Sequence, residues 1–168
     1  MSFKHYLILV TGFFALPLGN LQAQCRMPEE SLRPIISKFN PFFTDHVWED
    51  DTKSETARMD PERMLIIRQK SCLRHHVLFT LIIDKVAIED NDRFWITEAL
   101  VLLKRAYFDD NEYLEYKTDF EKAFVRQFQA NGVNTNFTFP VNDRSFICRI
   151  ENEDWGAKIK IESVKFVL

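Results

Sequence analysis

Glycine is scarce in this chain: there are four in 168 residues, and only Gly132 and Gly156 lie beyond residue 23. Phosphate-cradling loops and dinucleotide folds need several glycines so that backbone amides can approach the anion. Neither fits here, and the G-x-S-x-G elbow of serine hydrolases is missing for the same reason. Histidine is sparse as well, with His46, His75 and His76 the only ones after His5. An excess of positive charge is also lacking. The 22 basic residues against 25 acidic ones give a net charge of −3, which argues against nucleic acid as a partner. Beyond the N-terminus the longest apolar runs are Ala99–Leu103 and stretches within Val77–Ile83. No membrane span is therefore expected there, since crossing takes about 20 apolar residues. No cofactor signature, internal repeat or low-complexity segment is present.

What is there begins with Met1–Ala23. Lys4 supplies early positive charge, Tyr6–Leu18 is almost wholly apolar, and polar residues lead to Ala23 at the expected cut, although Leu21 is bulky for position −3. A charged head, a short greasy segment and a small residue at the cut are the marks of a secretory signal peptide. The expected organisation is thus residues 1–23 as a cleaved leader and 24–168 as one domain, secreted or periplasmic. Its formal charge would be −4.

Cys25, Cys72 and Cys148 follow the leader. An oxidising compartment permits one bridge, and Cys72–Cys148 is the expected pair, worth about 4 kcal/mol from the length of loop it closes. Cys25 stands near the new N-terminus, where a lipid anchor would attach. Gln24 directly before it and Gln22 two places further upstream argue against that anchor.

Along the chain, Leu32, Ile35, Ile36 and Phe39 recur at helical spacing and predict a first helix over Pro28–Asn40, with Pro34 against it. Phe42 and Phe43 are expected to turn inward, and 45–59 reads as a polar surface loop. Asp60-Pro61-Glu62 has the chemistry of a helix start, predicting a helix to about Lys70 with Met64 and Ile67 inside. His75–Glu89 is rich in β-branched residues and predicts a strand. Phe94–Phe108 either pairs back as a long hairpin, the reading preferred here, or forms a helix with Ile96, Ala99, Leu100, Leu103 and Tyr107 on one face. Thr118-Asp119-Phe120-Glu121 has capping-box spacing ahead of Phe120, Phe124 and Phe128, and Gly132 closes that helix. Residues 134–140, 145–150 and 157–168 alternate as three strands. The fold class is α+β: N-terminal helices, an antiparallel sheet with a C-terminal three-strand meander, and one capped helix packed on it.

The chemistry-bearing candidates are few. Cys72, His75 and His76 form the one cluster of nucleophilic or metal-capable side chains, and Cys72 and His76 share a face on either a helix or a strand. They are the weak catalytic candidates. With His46, and a carboxylate such as Asp84 or Glu89, Cys72 and His76 are also the weak metal candidates. A buried or bridged cysteine beside boundary histidines is the simpler reading. The acidic turns at 89–92 and 151–154 lack the glycine and distal glutamate of a calcium loop. Trp48, Trp95 and Trp155 read as packing residues.

These observations point to a small exported, non-catalytic protein with a protein partner outside the cytoplasm, of the kind that plugs another protein as an inhibitor or immunity protein does. Two alternatives stand beside it. One is an extracytoplasmic enzyme or metal-binding protein built on Cys72, His75 and His76. The other is a carrier that holds an apolar ligand between its sheet and the Phe-bearing helix.

Overall fold

The structure, a computed structural model, describes residues 27–84, 91–108 and 110–166. A single 3-10 turn at Glu29–Ser31 is followed by four strands: β1 Thr44–Glu49, β2 Ser54–Asp60, β3 Arg63–Ser71 and β4 Arg74–Asp84. Two helices follow, α1 Asp92–Ala106 and α2 Asn111–Asn131, and then β5 Phe137–Val141, β6 Arg144–Glu153 and β7 Gly156–Phe166. The strands form one sheet in the order β1-β2-β3-β4-β7-β6-β5, antiparallel throughout. The chain thus lays down one meander, leaves the middle of the sheet, passes through both helices, and returns through a second meander. The seam is β4 against β7, paired over eleven positions from Arg74↔Phe166 to Asp84↔Gly156.

Alternation decides which side of the sheet is core. Val77, Phe79, Leu81 and Ile83 of β4 are buried, as are Ala157, Ile159 and Ile161 of β7, and they meet in register as Phe79↔Ile161 and Leu81↔Ile159. Phe120, Phe124 and Phe128 stand four apart on α2 and close this face. Phe120 meets Phe146 edge-on at 4.8 Å and Phe124 meets Phe137 at 5.6 Å. Trp95, Ala99, Leu102, Leu103 and Ala106 of α1 are buried beside them. Arg63 ties β3 to α1 through two parallel bonds to Glu98, each 3.0 Å. Those bonds hold the guanidinium pKa above its ordinary value. No helix is long and apolar enough to cross a membrane, among the described residues.

The α+β sheet, the C-terminal meander and the Phe-bearing helix match the sequence expectation; the predicted N-terminal helices do not form. Over 28–40 only the 3-10 turn is helical. Pro34 removes a donor, and the next two amides, of Ile35 and Ile36, bond at 2.6 and 3.0 Å to the carboxylate of Glu55 on β2 instead of to a preceding turn. Leu32 and Ile36 are buried, but Phe39 is 91% exposed and Phe42 stays 38% exposed. The supposed loop 45–59 holds most of β1 and β2.

The second predicted helix, from Pro61, is β3. Asp60 Oδ1 does accept an amide, that of Glu62 at 2.9 Å, but the bond builds a turn between β2 and β3. An Asx turn and a helix cap use the same local bond, so sequence cannot tell them apart. Phe94–Phe108 resolves the other way, as α1 and not as a hairpin strand. The edge of β4 that a hairpin partner would need is occupied by β7, and the helical propensity of 98–105 is then unopposed. The Thr118–Glu121 box lies inside α2, which starts seven residues earlier, at Asn111.

Candidate functional site

Cys72 and Leu73 form the turn between β3 and β4, so the sequence-predicted cluster sits at one end of the sheet. The strand that follows separates the two histidines. His75 and His76 are successive residues of β4 and point to opposite faces. His75 Nε2 lies 3.2 Å from Gln69 Oε1 on the core side, whereas His76 Nδ1 meets Glu162 Oε1 of β7 at 2.8 Å on the outer side. Cys72 is disulfide-bonded and so presents no thiolate to either ring. The nucleophile-and-base arrangement is not formed.

His46 is remote from this end. It lies on β1, three strand spacings or about 14 Å from β4, and its Nε2 is 3.0 Å from Glu55. It cannot share a metal ion with Cys72 and His76. Among the described residues no group of three or more His, Cys, Asp or Glu side chains is placed to hold one.

The bridge expected between Cys72 and Cys148 is also absent. Cys148 is a free thiol, 1% exposed in the middle of β6, and burial pushes its pKa far up. Its register neighbours are Phe137 and Ile161 in the core layer, whereas Cys72 is in a turn beyond the strand end. Cys25, the remaining cysteine, lies outside the described residues, as do the leader and residues 85–90.

What the turn does build is a basin of about 700 Å³ lined by Arg68, Lys70, Arg74, His76, Leu73 and Leu78, with Cys72 at its end and Glu162 as its one carboxylate. The sheet register explains it. Arg68 and Lys70 are two apart on β3 and share the outer face, about 7 Å apart. They stand directly across from Leu78 and His76 of β4, and Leu78 in turn faces Glu162. Arg68 and Lys70 make no ion pair with any described residue, although the chain as a whole is acidic. The core cluster uses only the other face of β3 and β4, and no described element covers this side, with Met64, Ile66 and Ile82 part-exposed further along.

A second cleft, of about 350 Å³, lies on the helix side at the elbow between α1 and α2. Phe42, Val101, Tyr107, Phe108, Tyr113 and Leu114 form its walls, and Lys104, Arg105 and Lys117 its rim. Phe42 and Phe108 touch edge to face at 5.3 Å yet remain 38% and 49% exposed. By contrast, the sheet–helix interface expected to enclose an apolar ligand is filled with phenyl rings.

The sequence reading missed both clefts. Arg68, Lys70 and Arg74 fall on one face only once 63–71 is known to be a strand, and the elbow gathers residues as distant as Phe42 and Lys117. The chain matches no protein-family model, no curated protein and no solved structure.

Proposed function

We propose that this chain is an exported, non-catalytic binding protein that engages an acidic surface of another protein through the basin under the β3–β4 turn. The carrying observation is the basin itself, where Arg68 and Lys70, beside Arg74 and a histidine, meet a single carboxylate among the described residues, on a sheet face that no described element covers. The excess of positive charge steers an acidic partner, and exposed Leu73 and part-exposed Leu78 supply apolar contact at the centre. The N-terminal leader supports a secreted or periplasmic setting, in which Cys72 would be kept oxidised. Plugging the site of another protein, as inhibitors and immunity proteins do, is the mode that suits a small domain acting by surface fit.

The test uses the mature chain as bait in the extracytoplasmic fraction of its own cells. A stoichiometric protein should be retained by wild type and by Lys122→Glu/Arg126→Glu on the exposed face of α2. It should be lost with Arg68→Glu/Lys70→Glu. A partner held equally by both double variants, or no partner at all, would overturn the proposal.

A further inference from the structure

We propose that the cleft at the α1–α2 elbow binds a small amphipathic acid, an apolar body ending in a carboxylate. It lies on the helix side, away from the basin, and stands or falls separately from the protein-partner reading.

Three independent observations converge on it. The first is apolar surface left in water. Phe42, Phe108 and Leu114 are 38%, 49% and 61% exposed around one concavity of about 350 Å³, within the usual size of small-molecule sites. The second is a polar group without a partner. Tyr113 is 1% exposed, its ring is stacked on Tyr107 at 5.4 Å, and its hydroxyl is buried with no hydrogen-bond partner among the described residues. Buried hydroxyls are nearly always bonded, so an orphan on a residue that lines the cleft is a donor left for a ligand to take up. Burial raises the Tyr113 pKa, so this hydroxyl stays a donor. The third is the charge on the rim. Lys104 and Arg105 form no ion pair with any described residue, Arg105 instead lying over the Phe42 ring at 5.3 Å. Lys117 reaches Glu121 only at 3.9 Å. Their place in the last turn of α1 explains Lys104 and Arg105 in part, since cations suit that end of a helix. It does not explain Lys117, the seventh residue of α2 and beyond the reach of that helix's end. An apolar wall, a buried donor and three cations together fit a hydrophobic carboxylate.

Decanoate is the probe, with decanol as its uncharged counterpart, titrated into the mature protein by calorimetry and followed by heteronuclear NMR. Decanoate should bind saturably and shift the amide signals of 101–117, and decanol should bind at least tenfold more weakly. Tyr113→Phe should weaken decanoate about fivefold while leaving the unliganded protein as stable or slightly more so, because the orphan hydroxyl is gone. Lys104→Gln/Lys117→Gln should weaken decanoate and reduce its salt dependence. Leu114→Trp, which fills the cleft from an exposed position, should abolish binding. Equal affinity for decanol, full affinity in Tyr113→Phe, or binding that survives Leu114→Trp would each overturn the proposal.

Discussion

Replacing Glu55 with alanine should destabilise the protein by about 3–5 kcal/mol, the range for removing one partner of a buried charged cluster. Glu55 is completely buried, and its two oxygens hold three groups: the amides of Ile35 and Ile36 at 2.6 and 3.0 Å, and His46 Nε2 at 3.0 Å. Hydrogen bonds to an ionised acceptor contribute roughly 1.5–3 kcal/mol each, and two of these donors are backbone amides that cannot turn away. The alanine variant also frees 32–36 from the sheet, exposing Leu32 and Ile36. Urea unfolding monitored by tryptophan fluorescence reads the loss. On heating, a domain of this size should lose about 2–4 °C per kcal/mol. Glu55→Gln keeps one carbonyl oxygen but turns an amide toward the donors, and should fall about halfway between. If Glu55→Ala cost less than 1 kcal/mol, the carboxylate would not be what anchors the N-terminal segment.

Further outcomes follow from other contacts. Gly156→Ala should cost several kcal/mol in the same assay, because φ is 149° and the new Cβ would collide with the Ile83 carbonyl oxygen where β4 meets β7. Phe124→Ala should cost about 3–5 kcal/mol by opening the centre of the ring cluster. Glu151, bonded to Lys160 at 2.9 Å, has its pKa held below the ordinary 4.5. Its contribution is therefore complete above that value and is lost as pH falls through the lower folded value. Glu151→Gln should flatten the acid limb of stability against pH below 4.5, and an unchanged limb would refute the link. Cys148 should resist thiol reagents until the protein unfolds, and non-reducing peptide mapping should recover the Cys148 peptide unlinked.

The legible part of the candidate site was the position of Cys72, His75 and His76 at an element boundary. Its chemistry was not legible, because Cys72 falls in a turn and is disulfide-bonded, and the strand that follows throws His75 and His76 to opposite faces. The cations that line the basin carry no local signal at all. Arg68 and Lys70 look like solvated charges until β3 and β4 are paired, and Tyr113 looks like any helix-facing aromatic until its hydroxyl is found without a partner among the described residues.

By itself the sequence determined the elements whose periodicity is strong and unopposed. The rings four apart on α2 and the alternation in β4 through β7 leave one way to bury apolar surface, and the α+β class follows. Tertiary structure alone decided 28–40, 61–70 and 94–108, where two local conformations satisfy the same residues almost equally. There the winner was set by long-range partners: Glu55 capturing two amides, β4 accepting β3 in register, and β7 occupying the edge that a hairpin would have used. Such partners lie outside the segments they decide, and local propensities of a few tenths of a kcal/mol per residue cannot outweigh them.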